Sequence, residues 1–164
     1  MELFIIRHAW AEPYGDPAWP DDTRRPLTEK GRERFAEVVK SLARRGFAPG
    51  VIATSPMVRC VETAEIVAAR VAGSPKLVER EELLPGGDLG SLLAWTDEQS
   101  HWHEQVAWVG HAPDIGRLAA AAIGGPAAAI RFSKGAIAAI RFDAPPQAGC
   151  GELRWLVTAK VLDV

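Results

Sequence analysis

The sequence predicts an α/β fold: a three-layer α/β/α sandwich around a mostly parallel central sheet. Three observations predict it. Three short runs, LFII at residues 3–6, VIA at 51–53 and VAWV at 106–109, are unbroken by polar residues, as in parallel strands covered by helices on both faces. Between them lie segments whose apolar residues recur three and four apart, the period of an amphipathic helix. Strand and helix patterns alternate along the chain, the order that layered α/β domains follow.

Each element has its own signature. The run at 3–6 reads as the first strand. Phe35, Val38, Val39 and Leu42 then mark one face of a first helix. Thr28 is its expected N-cap and Gly46 its stop. The run at 51–53 leads into Thr54-Ser55. Cys60, Ala64, Val67 and Val71 mark a second helix, with Ser55 as the expected cap and Pro56 at the first helical position. Leu89, Leu92 and Leu93 suggest a third helix after Gly86-Gly87-Asp88. The run at 106–109 leads into Gly110-His111. Ile115, Leu118, Ala119, Ala122 and Ile123 give a fourth helix, opened by Pro113. The alanine-rich stretch 119–129 is broken by Gly124, Gly125 and Pro126. Residues 136–142 and 152–158 read as two further strands. Residues 9–26, AWAEPYGDPAWPDDTRRP, hold four prolines and a glycine and follow neither period. A structureless loop of that length inside a domain is usually functional or mobile.

The bulk numbers narrow the class. At 164 residues, 48% of them hydrophobic, the chain fits one domain with a real core, taken as residues 1–164. A net charge of −2 gives no global basic field for nucleic acid. No apolar run approaches the roughly 18 to 20 residues of a membrane helix, and the N-terminus does not read as a signal peptide. Cys60 and Cys150 are too few and too far apart for a disulfide framework, which suits a reducing, cytoplasmic compartment. Neither a nucleic acid nor a membrane is an expected partner.

All three inner runs end in polar residues: Arg7-His8 after the first, Thr54-Ser55 with Arg59 close behind after the second, and Gly110-His111 after the third. In open α/β sheets the ligand crevice lies beyond the carboxyl ends of the strands. Parallel strands would therefore bring two arginines and two histidines together. Any one of the four has an ordinary structural use, but three strand ends supplying them jointly do not. Buried positive charge is costly unless an anion arrives, and guanidinium forks fit phosphate oxygens. The second helix would add its free N–H groups and the positive end of its dipole.

The residues "RHA" at 7–9, "PLTEKG" at 26–31, "SPMVRCVETAEIV" at 55–67 and "VGHAP" at 109–113, in that order, resemble the histidine phosphatase (phosphoglycerate mutase-like) superfamily. The short chain and "ELLPGGD" at 82–88 are similar to its SixA-type phosphohistidine phosphatase branch. The resemblance implies a phosphoglycerate mutase-like sheet and a phosphatase. It implies that His8 attacks phosphorus and is transiently phosphorylated, that Arg7 and Arg59 hold the phosphoryl oxygens, and that His111 donates to them. It implies no metal or other cofactor, a phosphorylated partner such as a histidine-phosphorylated protein domain, and inorganic phosphate as product. The chemistry suits the residue types: neutral imidazole is a nucleophile near pH 7, flanking arginines keep it neutral, and one ring nitrogen should donate to a nearby carbonyl, which sets the tautomer. The family usually reads Arg-His-Gly, and Ala9 follows here; alanine fits only where the backbone keeps a negative φ.

The general acid stays open. Larger relatives carry a glutamate after the third strand; Glu82 is the nearest match, with Asp88 and Glu12 behind it. Trp10, Tyr14 and Trp19 either wall the substrate entrance or pack the long loop onto the sheet. His101 and His103 have metal-ligand spacing without a third ligand nearby, and a helix end is the expected place for them. Two other functions remain at this point: a small-molecule phosphomonoesterase, and a phosphate-recognition module without catalysis.

Overall fold

The computed structural model describes residues 1–164 except Pro126 and Ala129, so the break expected at Pro126 lies outside the described residues. Six strands form one sheet: β1 (Glu2–Arg7), β2 (Val51–Thr54), β3 (Lys76–Glu79), β4 (Gln105–Gly110), β5 (Ile137–Arg141) and β6 (Glu152–Val157), in the order β3-β2-β4-β1-β5-β6. Pairings β1–β4, β2–β4 and β2–β3 are parallel, and β5 runs against both β1 and β6. Four helices complete the layers: α1 (Glu29–Ala43), α2 (Val58–Ala68), α3 (Leu89–Ser100) and α4 (Asp114–Ile123).

The apolar runs are continuous because both faces of the inner strands are covered. Leu3, Ile5, Val51, Ala53, Val106 and Trp108 pack with residues of α3 and α4. Phe4, Ile6, Ile52, Ala107 and Val109 pack with residues of α1 and α2. Successive strand residues point to opposite faces, so each run feeds both cores. Thr28 caps α1 as expected, accepting from the Gly31 N–H at 2.9 Å, and Gly46 follows its end with φ at 94°.

Three features differ from the sequence expectation. β3 has no apolar run: its middle residues are half-buried and its outer ones exposed. As an edge strand with β2 as its one neighbour, it needs only Leu77 and Val78 facing inward. Helix α2 starts at Val58 with Met57 in the cap position and no side-chain cap. Pro56 therefore precedes the helix, and the Ser55 hydroxyl is instead hydrogen-bonded to His111. The loop 9–26 is not structureless. Ala11 bridges to Leu27, and Asp22–Arg24 form a 3-10 turn capped by Asp21, which accepts from the Thr23 N–H at 3.0 Å.

Candidate active site

Register places the strand ends side by side. Arg7 pairs across the sheet with Gly110, and Thr54 with Val109. The His8 N–H donates to the Gly110 carbonyl at 3.0 Å, and the Ser55 N–H to that of Val109 at 3.0 Å. Chain direction then carries His8 and His111 off adjacent strands together, with ring centroids 5.4 Å apart. Arg7, His8, Arg59 and His111 all line one cavity of about 500 Å3. Another hollow, around Met1, Glu104 and Arg141, lies where β1 and β4 begin and holds no histidine.

His8 has a defined tautomer. Its Nδ1 lies 2.8 Å from the Ala9 carbonyl oxygen. A carbonyl can only accept, so Nδ1 carries the proton and Nε2 keeps its lone pair. The Ala9 N–H in turn donates to Thr63 Oγ1 at 3.0 Å, and that hydroxyl donates to the Arg59 carbonyl at 2.6 Å. Helix α2 thus holds the peptide that holds His8. Ala9 is fully buried, and its φ is not positive, so alanine fits where the family usually has glycine.

Burial is the main cause that pushes the His8 pKa down, from 6.5 to about 3. The Ala9 carbonyl opposes the shift, while His111, Arg59 and Arg7 add to it. The arginines are therefore lesser causes than the sequence suggested. His111 is lowered to about 4, first by burial and then by Arg59. Both rings are neutral at pH 7. Ring-nitrogen NMR should show no titration midpoint for His8 or His111 between about pH 5.5 and 8; a midpoint near 6.5 in either ring would contradict this environment. Folded-state values below 6.5 mean the unfolded chain binds protons first. The fold should therefore lose stability as pH falls from about 6.5 toward about 3.

The two guanidinium groups are held differently. Arg7 Nη1 donates to the Phe132 carbonyl at 2.8 Å. Arg59 Nη1 donates to the Asp22 carbonyl at 2.7 Å, and its Nη2 lies 3.1 Å from Asp22 Oδ2. Each keeps a buried Nε–H with no hydrogen-bond partner among the described residues. Unpaired buried donors are costly, and an oxyanion in the cavity is the natural acceptor. The crevice is not purely cationic, however. Asp22 also accepts from Arg25 Nε at 2.7 Å, and Glu12 lines the cavity as well, so carboxylates accompany this cluster.

Arg25, Lys134 and Tyr14 line the cavity as well, and sequence reasoning did not single out the first two. Nothing in the motif distinguishes Arg25 from its neighbour Arg24; the 3-10 turn and its ion pair with Asp22 do. The "ETA" motif gains a use: Glu62 accepts from the Leu27 N–H at 2.7 Å and pairs with Arg32, tying the loop's end to α2. Of the carboxylates considered as general acid, Glu12 lines the cavity. Glu82 pairs with Arg80 at 2.5 Å, and Asp88 is spent capping α3 through the Gly90 and Ser91 N–H groups. Trp10 packs onto the α1–α2 core and under the Arg34 guanidinium, while Tyr14 is 83% exposed beside the cavity. Trp19 lines a neighbouring hollow that it shares with Tyr14 and Asp22. His101 ends α3, as expected, and no cluster of three metal-ligating side chains occurs among the described residues.

Comparison with known proteins agrees with this picture. A family model described as histidine phosphatase superfamily (branch 1) matches residues 3–115. An uncharacterized protein of Picosynechococcus sp. (strain ATCC 27264 / PCC 7002 / PR-6) is 39% identical over 122 residues, covering 74% of this chain and 72% of its own. The solved structure of the protein histidine phosphatase SixA complexed with tungstate is similar at a TM-score of 0.86 and 26% identity, over 99% of both chains. The α-ribazole phosphatase of Shigella flexneri shares the fold at a TM-score of 0.75 and 18% identity, over 97% of both chains. The expected phosphoglycerate mutase-like α/β architecture is therefore the observed one. The matched stretch runs from the first strand through the second histidine and spans well over half of the sequence, and on that ground the chain belongs to the histidine phosphatase superfamily, branch 1.

Proposed function

We propose that this phosphatase, with residues 1–164 acting as one domain, removes phosphate from a phosphohistidine on a protein through a covalent intermediate on His8. The observation that carries the reading is the His8 ring. It is neutral, it is tethered at Nδ1 to the Ala9 carbonyl, and it shares a cavity with two arginines that each keep an unpartnered buried Nε–H.

In the first step His8 Nε2 forms a bond to phosphorus while the bond from phosphorus to the substrate's imidazole nitrogen breaks, and that nitrogen takes a proton from solvent, which the attack of water in the second step gives back. In the second step water attacks phosphorus, the bond to Nε2 breaks, and orthophosphate leaves. Arg7 and Arg59 would neutralise the equatorial oxygens, and His111 would donate an N–H to them. An imidazole leaving group carries a nitrogen that accepts a proton readily, so Glu12 is less needed than an alkyl phosphate would make it. None of these steps asks for a metal.

A protein substrate fits the setting of the cavity. The segments 80–88 and 124–136, which could grow a cap, are short, and they carry a 3-10 turn and no α-helix among the described residues. Likeness to a protein histidine phosphatase over nearly the whole of both chains points the same way. Cys60 and Cys150 form no disulfide among the described residues, in keeping with the cytoplasmic site of action we propose.

The test is phosphate release from a panel of phosphohistidine proteins and phosphorylated metabolites. The expected result is a kcat/KM for the best phosphohistidine protein at least about a hundredfold above any metabolite, a gap of about 2.7 kcal/mol. A metabolite at the top of the panel would replace this reading with a small-molecule phosphomonoesterase. Phosphate binding without turnover of any compound would make the chain a recognition module.

A further inference from the structure

A second hollow of about 300 Å3 lies beside the first, and Arg7 and Ala112 line both. Its remaining wall includes Pro113, Ile130, Arg131 and Phe132. The segment 130–135 is fastened to the catalytic strand end at two points. The Phe132 carbonyl accepts from Arg7 Nη1, and the Gly135 N–H donates to the His8 carbonyl at 3.1 Å. Two cations sit beside those anchors: Arg131 lines the second hollow and Lys134 the first. Neither forms an ion pair among the described residues. The pKa of Arg7 is lowered first by burial and then by the charge of nearby Arg131. Arg131 thus stands with Arg7 over the proline, isoleucine and phenylalanine of the second hollow, while Lys134 stands on the side that also holds Glu12, and none of the three cations has an ion-pair partner among the described residues.

We propose that Arg131, beside Arg7 in the second hollow, forms a second anion subsite, which takes a carboxylate that the substrate carries close to its phosphoryl group. The subsite rests on the phosphatase reading above and adds a substrate class to it. A phosphoryl group held on Arg7 brings its neighbouring group to the Arg131 side, because Arg7 is the shared wall. There a carboxylate relieves the repulsion between Arg7 and the exposed Arg131. The carboxylate could belong to an acidic side chain beside phosphohistidine in a protein, or to a small phosphoester.

Four probes separate these sources. Two are phosphohistidine peptides that differ by glutamate or glutamine next to the phosphorylated residue; the others are carboxyphenyl phosphate and phenyl phosphate. The expected result is that wild type favours the acidic member of at least one pair by about fivefold in kcat/KM, about what one partly exposed ion pair supplies. R131A should bring that ratio close to one, and R131E should invert it. The pair that responds identifies the source. A ratio unchanged by R131A, or no acidic preference in either pair, overturns the subsite and leaves the phosphatase reading standing. Failure of wild type to turn over all four probes overturns both.

Discussion

Replacing His8 by alanine should abolish turnover, with kcat falling by about 10^5-fold, the scale on which removal of a covalent nucleophile acts. The side chain has no substitute in the cavity. His111 is the other imidazole, but its Nε2 is 2.8 Å from the Ser55 hydroxyl and 3.4 Å from Cys60 Sγ, whereas His8 Nε2 has no such partner among the described residues. Wild-type protein quenched during turnover of a labelled substrate should carry phosphate that is lost in acid and kept in base, the behaviour of a phosphorus–nitrogen bond. The H8A protein should carry none. It should also fold, because His8 contributes to the structure mainly through backbone hydrogen bonds to Gly110 and Gly135, which alanine keeps. Full activity in H8A, or an acid-stable phosphoenzyme, would reject the assignment.

Arg59→Ala should lower kcat/KM by about 10^3-fold, about 4 kcal/mol, the cost of losing one preorganised donor set at a developing oxyanion. The residue is 6% exposed, and its guanidinium is fixed by the carbonyl and carboxylate of Asp22, so little reorganisation is needed when phosphate arrives. Arg59→Lys should recover only part of the loss, since a point charge replaces a planar fork. Asp22 retains Arg25 as a partner in either variant, which leaves the loop anchored. Steady-state phosphate release with thermal melting as a folding control measures this. A lysine variant indistinguishable from wild type would mean that charge alone acts there, and an alanine variant with unchanged kcat/KM would remove Arg59 from the site.

The reach of the sequence differed between elements for physical reasons. β1, β2 and β4 were legible because burial on both faces demands an unbroken apolar run. β3 was not, because an edge strand of four residues needs only two apolar ones. The cap of α1 was legible because Thr28 uses its hydroxyl locally. The start of α2 was not, because the Ser55 hydroxyl is taken by His111, a residue 56 positions away. In the long loop, proline and glycine spacing carried no sign of the contacts that order it: the Ala11–Leu27 bridge, Arg25 on Asp22, and Glu62 on the Leu27 N–H.

By itself the sequence determined the layered α/β architecture and the four residues that meet beyond the strand ends, since hydrophobic period sets the strands and each of these side chains lies next to one or within a turn of it. Tertiary structure alone decided which nitrogen of His8 keeps its lone pair, that Asp22 sits on Arg59, that Glu12 lines the cavity while Glu82 and Asp88 are engaged elsewhere, and that Arg131 and Lys134 flank Arg7. Those outcomes depend on hydrogen bonds and charge contacts between residues far apart in the chain, which no local pattern records.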